Sequence, residues 1–187
     1  MTVPNILTFS RILLTPLLIW FLLDHRLNEA LIVFFVAGMT DGLDGLIARL
    51  FDQKSKLGAH LDPVADKLLL VSSFVLLGRL GLVPQWLVVI AVGRDCIIVV
   101  GLAVLRFQQV PVEIRPIVLS KLTTLMQLFT VLISLASSLV PLPTWAYGGA
   151  FYVTGVLCIV SGFQYLMIGL SLLEAGRLRN GGKTHFS

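Results

Sequence analysis

The chain has 187 residues, 57% of them hydrophobic and only 13% charged, with a formal net charge of +4 and a mean hydropathy of +0.94. Soluble domains carry about a quarter charged residues, so a water-soluble globule of this size is excluded for want of polar surface. The positive balance points to membrane topology and anionic lipid; no basic run is interleaved with aromatics, so no nucleic-acid partner is expected.

A helix needs about 20 mainly apolar residues to cross a bilayer. On that measure the sequence predicts an all-α integral membrane protein with about six transmembrane helices, at 8–24, 29–50, 61–80, 84–105, 117–139 and 146–173. The first runs apolar from Ile12 to Leu23 behind Arg11, like the core of a signal peptide. Asp24-His25-Arg26 follows where a small-residue cleavage site would stand, so a retained span is expected. The second starts apolar, from Ala30 to Met39, then turns acidic at Asp41 and Asp44. The third opens with Asp62 and Asp66, and the fourth carries Arg94-Asp95 inside an apolar run. Lys121 opens the fifth. Pro84, Pro111, Pro116, Pro141 and Pro143 fall near span ends, where a missing N–H costs least. The sixth is long enough to tilt or to run past the bilayer. Residues 176–187 are polar and glycine-bearing, and are expected to form a flexible cytoplasmic tail behind a membrane domain of residues 1–175. Cys96 and Cys158 are too few and too separated for a zinc site or disulfide framework, and are expected as buried thiols.

Across six alternating spans, Arg11, Arg49, Lys54, Lys56, Arg106, Arg115, Lys121, Arg177, Arg179 and Lys183 fall on one side. The other side has Arg26 and Arg79, and the 140–147 turn carries no charge. The positive-inside rule places both termini in the cytoplasm.

The acidic segment reads Asp41-Gly42-Leu43-Asp44-Gly45-Leu46-Ile47-Ala48-Arg49, then, after eight residues, Gly58, Asp62 and Asp66. Asp41 and Asp44 are i,i+3 on one helix, with Gly45 and Ala48 on or beside that face. Asp62 and Asp66 are one turn apart on the next. A short connection around Gly58 would let the two helices pack antiparallel, with four carboxylates facing one another. An acidic residue at the centre of a membrane helix costs about 2.5–3.5 kcal/mol on insertion scales, so protons or cations must accompany four of them. Oxygen ligands without His or Cys suit hard ions such as Mg²⁺, Mn²⁺ or Ca²⁺, and a pair of such ions clamps the attacking and leaving oxygens in phosphoryl transfer. Gly42, Gly45, Ala48 and Gly58 let a bulky ligand approach the backbone; Gly38-x-x-x-Gly42 also permits close helix packing. Arg49 can neutralise a phosphate at the mouth. Two other readings are open: an ion network with Arg49, Lys54, Lys56 and Lys67, or a cation channel or transporter. Against the latter, no repeated half with matching broken helices is visible.

Asp-x-x-Asp-Gly-x-x-Ala-Arg, eight residues, Gly-x-x-x-Asp-x-x-x-Asp resembles the signature of the CDP-alcohol phosphatidyltransferase family. Its eight fixed positions are Asp41, Asp44, Gly45, Ala48, Arg49, Gly58, Asp62 and Asp66. The opening segment Pro4-Asn5-Ile6-Leu7-Thr8-x-x-Arg11 resembles that of members acting on glycerol headgroups. The resemblance implies the family fold and a bacterial inner (plasma) membrane location with a cytoplasmic active site. It implies that Asp41, Asp44, Asp62 and Asp66 hold two divalent ions, Mg²⁺ or Mn²⁺, on the diphosphate of CDP-diacylglycerol. Asp66 would also take the acceptor's proton, and Gly45, Ala48, Arg49 and Gly58 would hold the cytidine and its phosphates. The phosphatidyl group passes to the alcohol and CMP leaves. A homodimer among membrane lipids is the usual family assembly.

For the acceptor, Arg94 and Asp95 either satisfy each other or face the cavity. Arg94, Arg115 and Lys121, with Thr123, Thr124 and Gln127 at helical spacing, can form a basic pocket for a phosphate-bearing alcohol. Gly93-Arg94-Asp95 and the stretch Ser120 to Gln127 resemble the branch that uses phosphatidylglycerol and makes cardiolipin. The branch that uses glycerol 3-phosphate usually has Arg-Glu at the first site and a second lysine where Thr123 stands. A missing cation suits the less charged acceptor.

Overall fold

The computed structural model describes residues 3–51, 58–107, 118–140 and 142–181, with side chains described for 11, 13–40, 66–101, 103–104, 118–140, 142–169 and 171. Within them the chain forms six long α-helices and no strand: α1 (Val3–Leu23), α2 (Leu27–Phe51), α3 (Gly58–Arg79), α4 (Gln85–Phe107), α5 (Val118–Leu135), followed by a 3-10 turn (Ala136–Ser138), and α6 (Thr144–Gly181). Their number and order match the six predicted segments. By length and composition, two of the described segments qualify to cross a membrane, Val118–Ser138 and Thr144–Gly169, beside the shorter apolar runs Leu13–Leu23 and Leu27–Thr40.

Pro84 and Pro143 stand just before α4 and α6, as expected, and their carbonyls accept from Leu87 (3.0 Å) and Ala146 (2.9 Å). Pro111, Pro116 and Pro141 lie outside the described residues. Helices α1 and α3 end alike. In α3, the Leu82 amide donates to the Leu77 carbonyl (3.0 Å) and Gly81 to Gly78 (3.2 Å), with Gly81 at φ 74°. In α1, Arg26 donates to Phe21 (2.9 Å) and His25 to Leu22 (3.2 Å), with His25 at φ 59°. Both are Schellman ends, the second built on a residue less suited than glycine to a left-handed backbone. At 38 residues, α6 is roughly 57 Å long. It carries on through Gly176 to Gly181, so the tail expected to be flexible from that glycine is helical over its first part; residues 182–187 lie outside the described residues.

Large apolar side chains lie on the outside of the bundle as well as in its core. Leu13, Trp20, Ile32, Phe35, Val89, Leu125, Val156 and Phe163 are exposed, on five of the six helices. Polar groups lie inside: Arg11, Ser73, Arg94, Asp95, Thr123, Gln127, Thr130, Ser134, Thr154 and Ser161 are buried. The buried apolar core runs through Leu18, Leu22, Ala30, Phe34, Ala37, Leu69, Phe74, Leu77, Leu87, Val131 and Leu135. Every α1 position in the buried stripe, Arg11, Thr15, Leu18 and Leu22, follows the spacing of one helix face. Helix α1 packs on α2 and α3, α4 on α3 and α6, and α5 on α2, α3 and α6. Hydroxyls join α5 to α6: Thr130 to Thr154 (2.8 Å) and Thr123 to the Leu157 carbonyl (3.3 Å), the kind of polar link that holds membrane helices together. Gly155 gives the Trp86 ring its seat, since a Cβ there would come within 2.6 Å of the ring. The two cysteines part company: Cys158 is buried, but Cys96 is exposed on the outer face of α4.

Candidate active site

The signature is carried on two continuous helices. The backbone of α2 is helical through Asp41, Asp44, Gly45, Ala48 and Arg49, and that of α3 from Gly58 through Asp62 to Asp66. The i,i+3 and i,i+4 spacings therefore hold on real helical turns. Of these residues only Asp66 has a described side chain; those of Asp41, Asp44, Ala48, Arg49 and Asp62 lie outside the described residues, as do Gly45 and Gly58 beyond their backbone. Among the described residues no three of His, Cys, Asp and Glu gather as a metal site.

Asp66 lines a cavity of about 50 Å³ with Ala37 and Gly38 of α2, Leu69 and Leu70 of α3, and Thr124 and Leu128 of α5. That is room for one or two waters or a small polar group. Among the described residues α1 and α5 each pack on both α2 and α3, and residues of α2, α3 and α5 share the cavity wall; the acidic side chains expected to face one another across antiparallel α2 and α3 lie, Asp66 apart, outside the described residues. Close helix packing was one reading of Gly38 and Gly42. Among the described residues a Cβ on Gly38 would meet nothing within 4 Å, and the residue lines the cavity. Gly38→Ala should therefore be tolerated, whereas Gly38→Leu, whose side chain is larger than one or two waters, should overfill the cavity and cut turnover at least tenfold at a stability cost of about 1–3 kcal/mol. Full turnover in a folded Gly38→Leu protein would mean that the cavity is not used.

Asp66 is 38% exposed and is met by a buried cation: Arg11, 1% exposed on α1, pairs with it through Nη1 and Oδ1. Thr15 Oγ1 donates to the Arg11 carbonyl (2.9 Å) one turn on. The ion network weighed from the sequence assigned the carboxylates to Arg49, Lys54, Lys56 and Lys67. Of these, Lys67 turns away and pairs with Asp95 on α4; the other three lie outside the described residues.

Asp95 is the centre of a second polar cluster. It and Arg94 are each 3% exposed. Arg94 donates to Asp95 (2.7 Å), to Ser120 Oγ (2.7 Å) and carbonyl (3.3 Å), and to Ser161 Oγ (3.2 Å). Gly162 lies against its aliphatic stem, where a Cβ would sit 3.5 Å away. Arg94 and Asp95 do satisfy each other, and with Lys67, Ser120 and Ser161 they tie together α3, α4, α5 and α6. Both Nη atoms of the guanidinium are thus engaged by protein groups, while its Nε is buried without a partner among the described residues and the residue lines a cavity of about 340 Å³ with Gly93, Ile97, Gly162 and Phe163. Lys121 is exposed at the start of α5, next to Ser120; Arg115 lies outside the described residues. The polar residues of α5 also divide. Thr124 faces the Asp66 cavity, whereas Thr123 and Gln127 are buried, Thr123 against α6. Sequence reasoning missed the Arg11–Asp66 and Lys67–Asp95 partnerships. The signal for the first was available, since Arg11 shares a helix face with Thr15, Leu18 and Leu22.

Residues 1–170 match the family model described as CDP-alcohol phosphatidyltransferase. The chain belongs to that family. It is 36% identical over 191 aligned residues to a probable cardiolipin synthase (CMP-forming) of Drosophila melanogaster, covering 89% of this chain and 57% of that protein. It is 34% identical to the cardiolipin synthase (CMP-forming) of Rattus norvegicus, over 84% of this chain and 56% of that one. The human cardiolipin synthase (CMP-forming) is 33% identical, over 86% and 57% respectively. The chain thus spans a little over half the length of these relatives.

Proposed function

We propose that this family member is a six-span membrane transferase that moves the phosphatidyl group of CDP-diacylglycerol to phosphatidylglycerol, making cardiolipin and releasing CMP. The observation that carries the reading is the placement of Asp66, a carboxylate at the wall of a cavity between the two helices that bear the whole family signature. In the relatives' names, cardiolipin synthase and CMP-forming, lies the support for the acceptor and the leaving group. The absence of a lysine at Thr123 supports it less than the sequence suggested, because that side chain packs against α6.

The donor set fits the metals that the family implies. Asp41, Asp44, Asp62 and Asp66 offer only carboxylate oxygens, at turn spacing on two helices, as hard divalent ions require. When bound, Mg²⁺ or Mn²⁺ would neutralise the diphosphate and make CMP a good leaving group. The protein's own work is then short. Asp66 takes the proton of the acceptor hydroxyl, the acceptor oxygen attacks the phosphorus that bears the diacylglycerol, and the bond to CMP breaks. Gly45, Ala48, Arg49 and Gly58 hold the cytidine end, and Lys121 faces the acceptor's phosphate.

All six helices cross the bilayer in this reading, since apolar side chains face outward along the bundle while the polar ones are inside. Trp20, Trp86 and Trp145 stand at the end of α1 and the starts of α4 and α6, one end of an alternating bundle, as aromatics do at a membrane boundary. Arginines and lysines concentrate toward the other end, which carries the signature and faces the cytoplasm. The outer apolar faces also suit the family's homodimer.

Purified protein in detergent, with Mg²⁺ and CDP-diacylglycerol, should release CMP when given phosphatidylglycerol and not when given glycerol 3-phosphate. Chelation of the metal should stop the release. Release with glycerol 3-phosphate alone would replace the acceptor and keep the mechanism. A cation transporter would release no CMP with any acceptor.

A further inference from the structure

Arg11 has no part in the mechanism above, although it closes the opening segment that begins at Pro4. Its surroundings are unusual for an arginine. It is 1% exposed, at the polar end of the α1 stripe that continues through Thr15, Leu18 and Leu22. Its partner Asp66 is 38% exposed and lines the cavity. The pair is therefore lopsided, with the cation sealed in the packing of α1 on α3 and the anion at the reaction chamber. A guanidinium so enclosed cannot touch substrate, and it stays protonated throughout. Its planar fork can fix the direction of a carboxylate in a way that a point charge cannot. Thr15, bonded to the Arg11 carbonyl (2.9 Å), braces the helix turn from which the arginine extends.

We propose that Arg11 is a positioning residue, a buried guanidinium on α1 that aims the Asp66 carboxylate of α3 into the cavity. This rests on the transferase reading, in which Asp66 takes the acceptor's proton. The opening segment then belongs to the active site through Asp66 rather than through substrate. Misplacing a reacting group by an ångström can cost about 100-fold, so the effect should fall on the chemical step and not on substrate affinity.

The experiment compares Arg11→Met and Arg11→Lys with the wild-type protein, in the same detergent, by CMP release and by thermal stability. Methionine keeps an unbranched apolar stem, and lysine keeps the charge without the fork. At saturating Mg²⁺, kcat should fall about 100-fold in Arg11→Met and about 10-fold in Arg11→Lys, with KM for CDP-diacylglycerol unchanged in both. Adding Arg11→Met to Asp66→Asn should lower the residual rate by less than Arg11→Met lowers the wild-type rate, because the two act through one carboxylate. Wild-type kcat in a folded Arg11→Met protein would overturn the proposal. So would equal losses in both variants that track their thermal stability, which is what a packing role predicts. If Arg11→Met does not fold, Arg11→Lys decides alone, and wild-type kcat there overturns it. No CMP release from the wild-type protein would defeat the transferase reading and this role with it; turnover that survives the Arg11 variants defeats the role alone.

Discussion

Asp66→Asn should lower CMP release by about 10³-fold, the middle of the range that a positioned base contributes. The substitution keeps the shape of the side chain and one accepting oxygen, so the cavity with Ala37, Gly38 and Thr124 should persist. It is not silent for the fold, however. Arg11, buried opposite, loses the Asp66 charge it pairs with. Breaking a fully buried ion pair costs about 3–5 kcal/mol; with the Asp66 carboxylate more than a third exposed, about 1–2 kcal/mol is expected after discounting for solvent. Thermal unfolding in detergent should therefore show a modest loss for Asp66→Asn, recovered in part by adding Arg11→Met. Turnover should not recover. Undiminished turnover in Asp66→Asn would show that another group takes the proton.

The helical framework was legible because hydropathy reports what lipid sees. Six apolar segments gave six helices, and Pro84 and Pro143 marked two of their starts. The boundaries were less legible where a helix continues into polar sequence: α1 begins at Val3 rather than residue 8, α3 at Gly58 rather than 61, and α6 ends at Gly181 rather than 173. Backbone hydrogen bonding does not stop where apolarity does. The site positions were legible for a different reason. A carboxylate in apolar sequence is expensive, so Asp41, Asp44, Asp62 and Asp66 had to mean something together. Which cation meets which anion was hidden, because it depends on how each helix is turned about its axis and on which helices are neighbours. Asp66 and Lys67 are consecutive yet look toward α1 and α4. Likewise, Gly38 fits a close-packing pattern, but only the arrangement of α2, α3 and α5 decides that it lines a cavity.

Asp95→Leu should be the most destabilising single change away from the signature. Asp95 is 3% exposed and sits between Lys67 and Arg94; removing it leaves two cations facing each other with their shared anion gone. The expected cost is about 3–5 kcal/mol, which a marginally stable bundle would register as loss of folded protein in detergent. Ser120→Ala, which removes one neutral partner of Arg94, should cost only about 1 kcal/mol. The triple change Lys67→Met, Arg94→Met and Asp95→Leu separates the two roles open to the cluster. Replacing a buried ionic group by apolar side chains of similar volume is often neutral or stabilising, so the triple variant should be more stable than Asp95→Leu alone. If it also turns over with an unchanged KM for phosphatidylglycerol, Arg94 is part of the framework that holds α3 against α4, α5 and α6. If it is stable but its KM for phosphatidylglycerol rises tenfold or more while that for CDP-diacylglycerol does not, Arg94 serves the acceptor after all. The buried geometry, with Arg94 engaged by Asp95, Ser120 and Ser161, favours the first outcome.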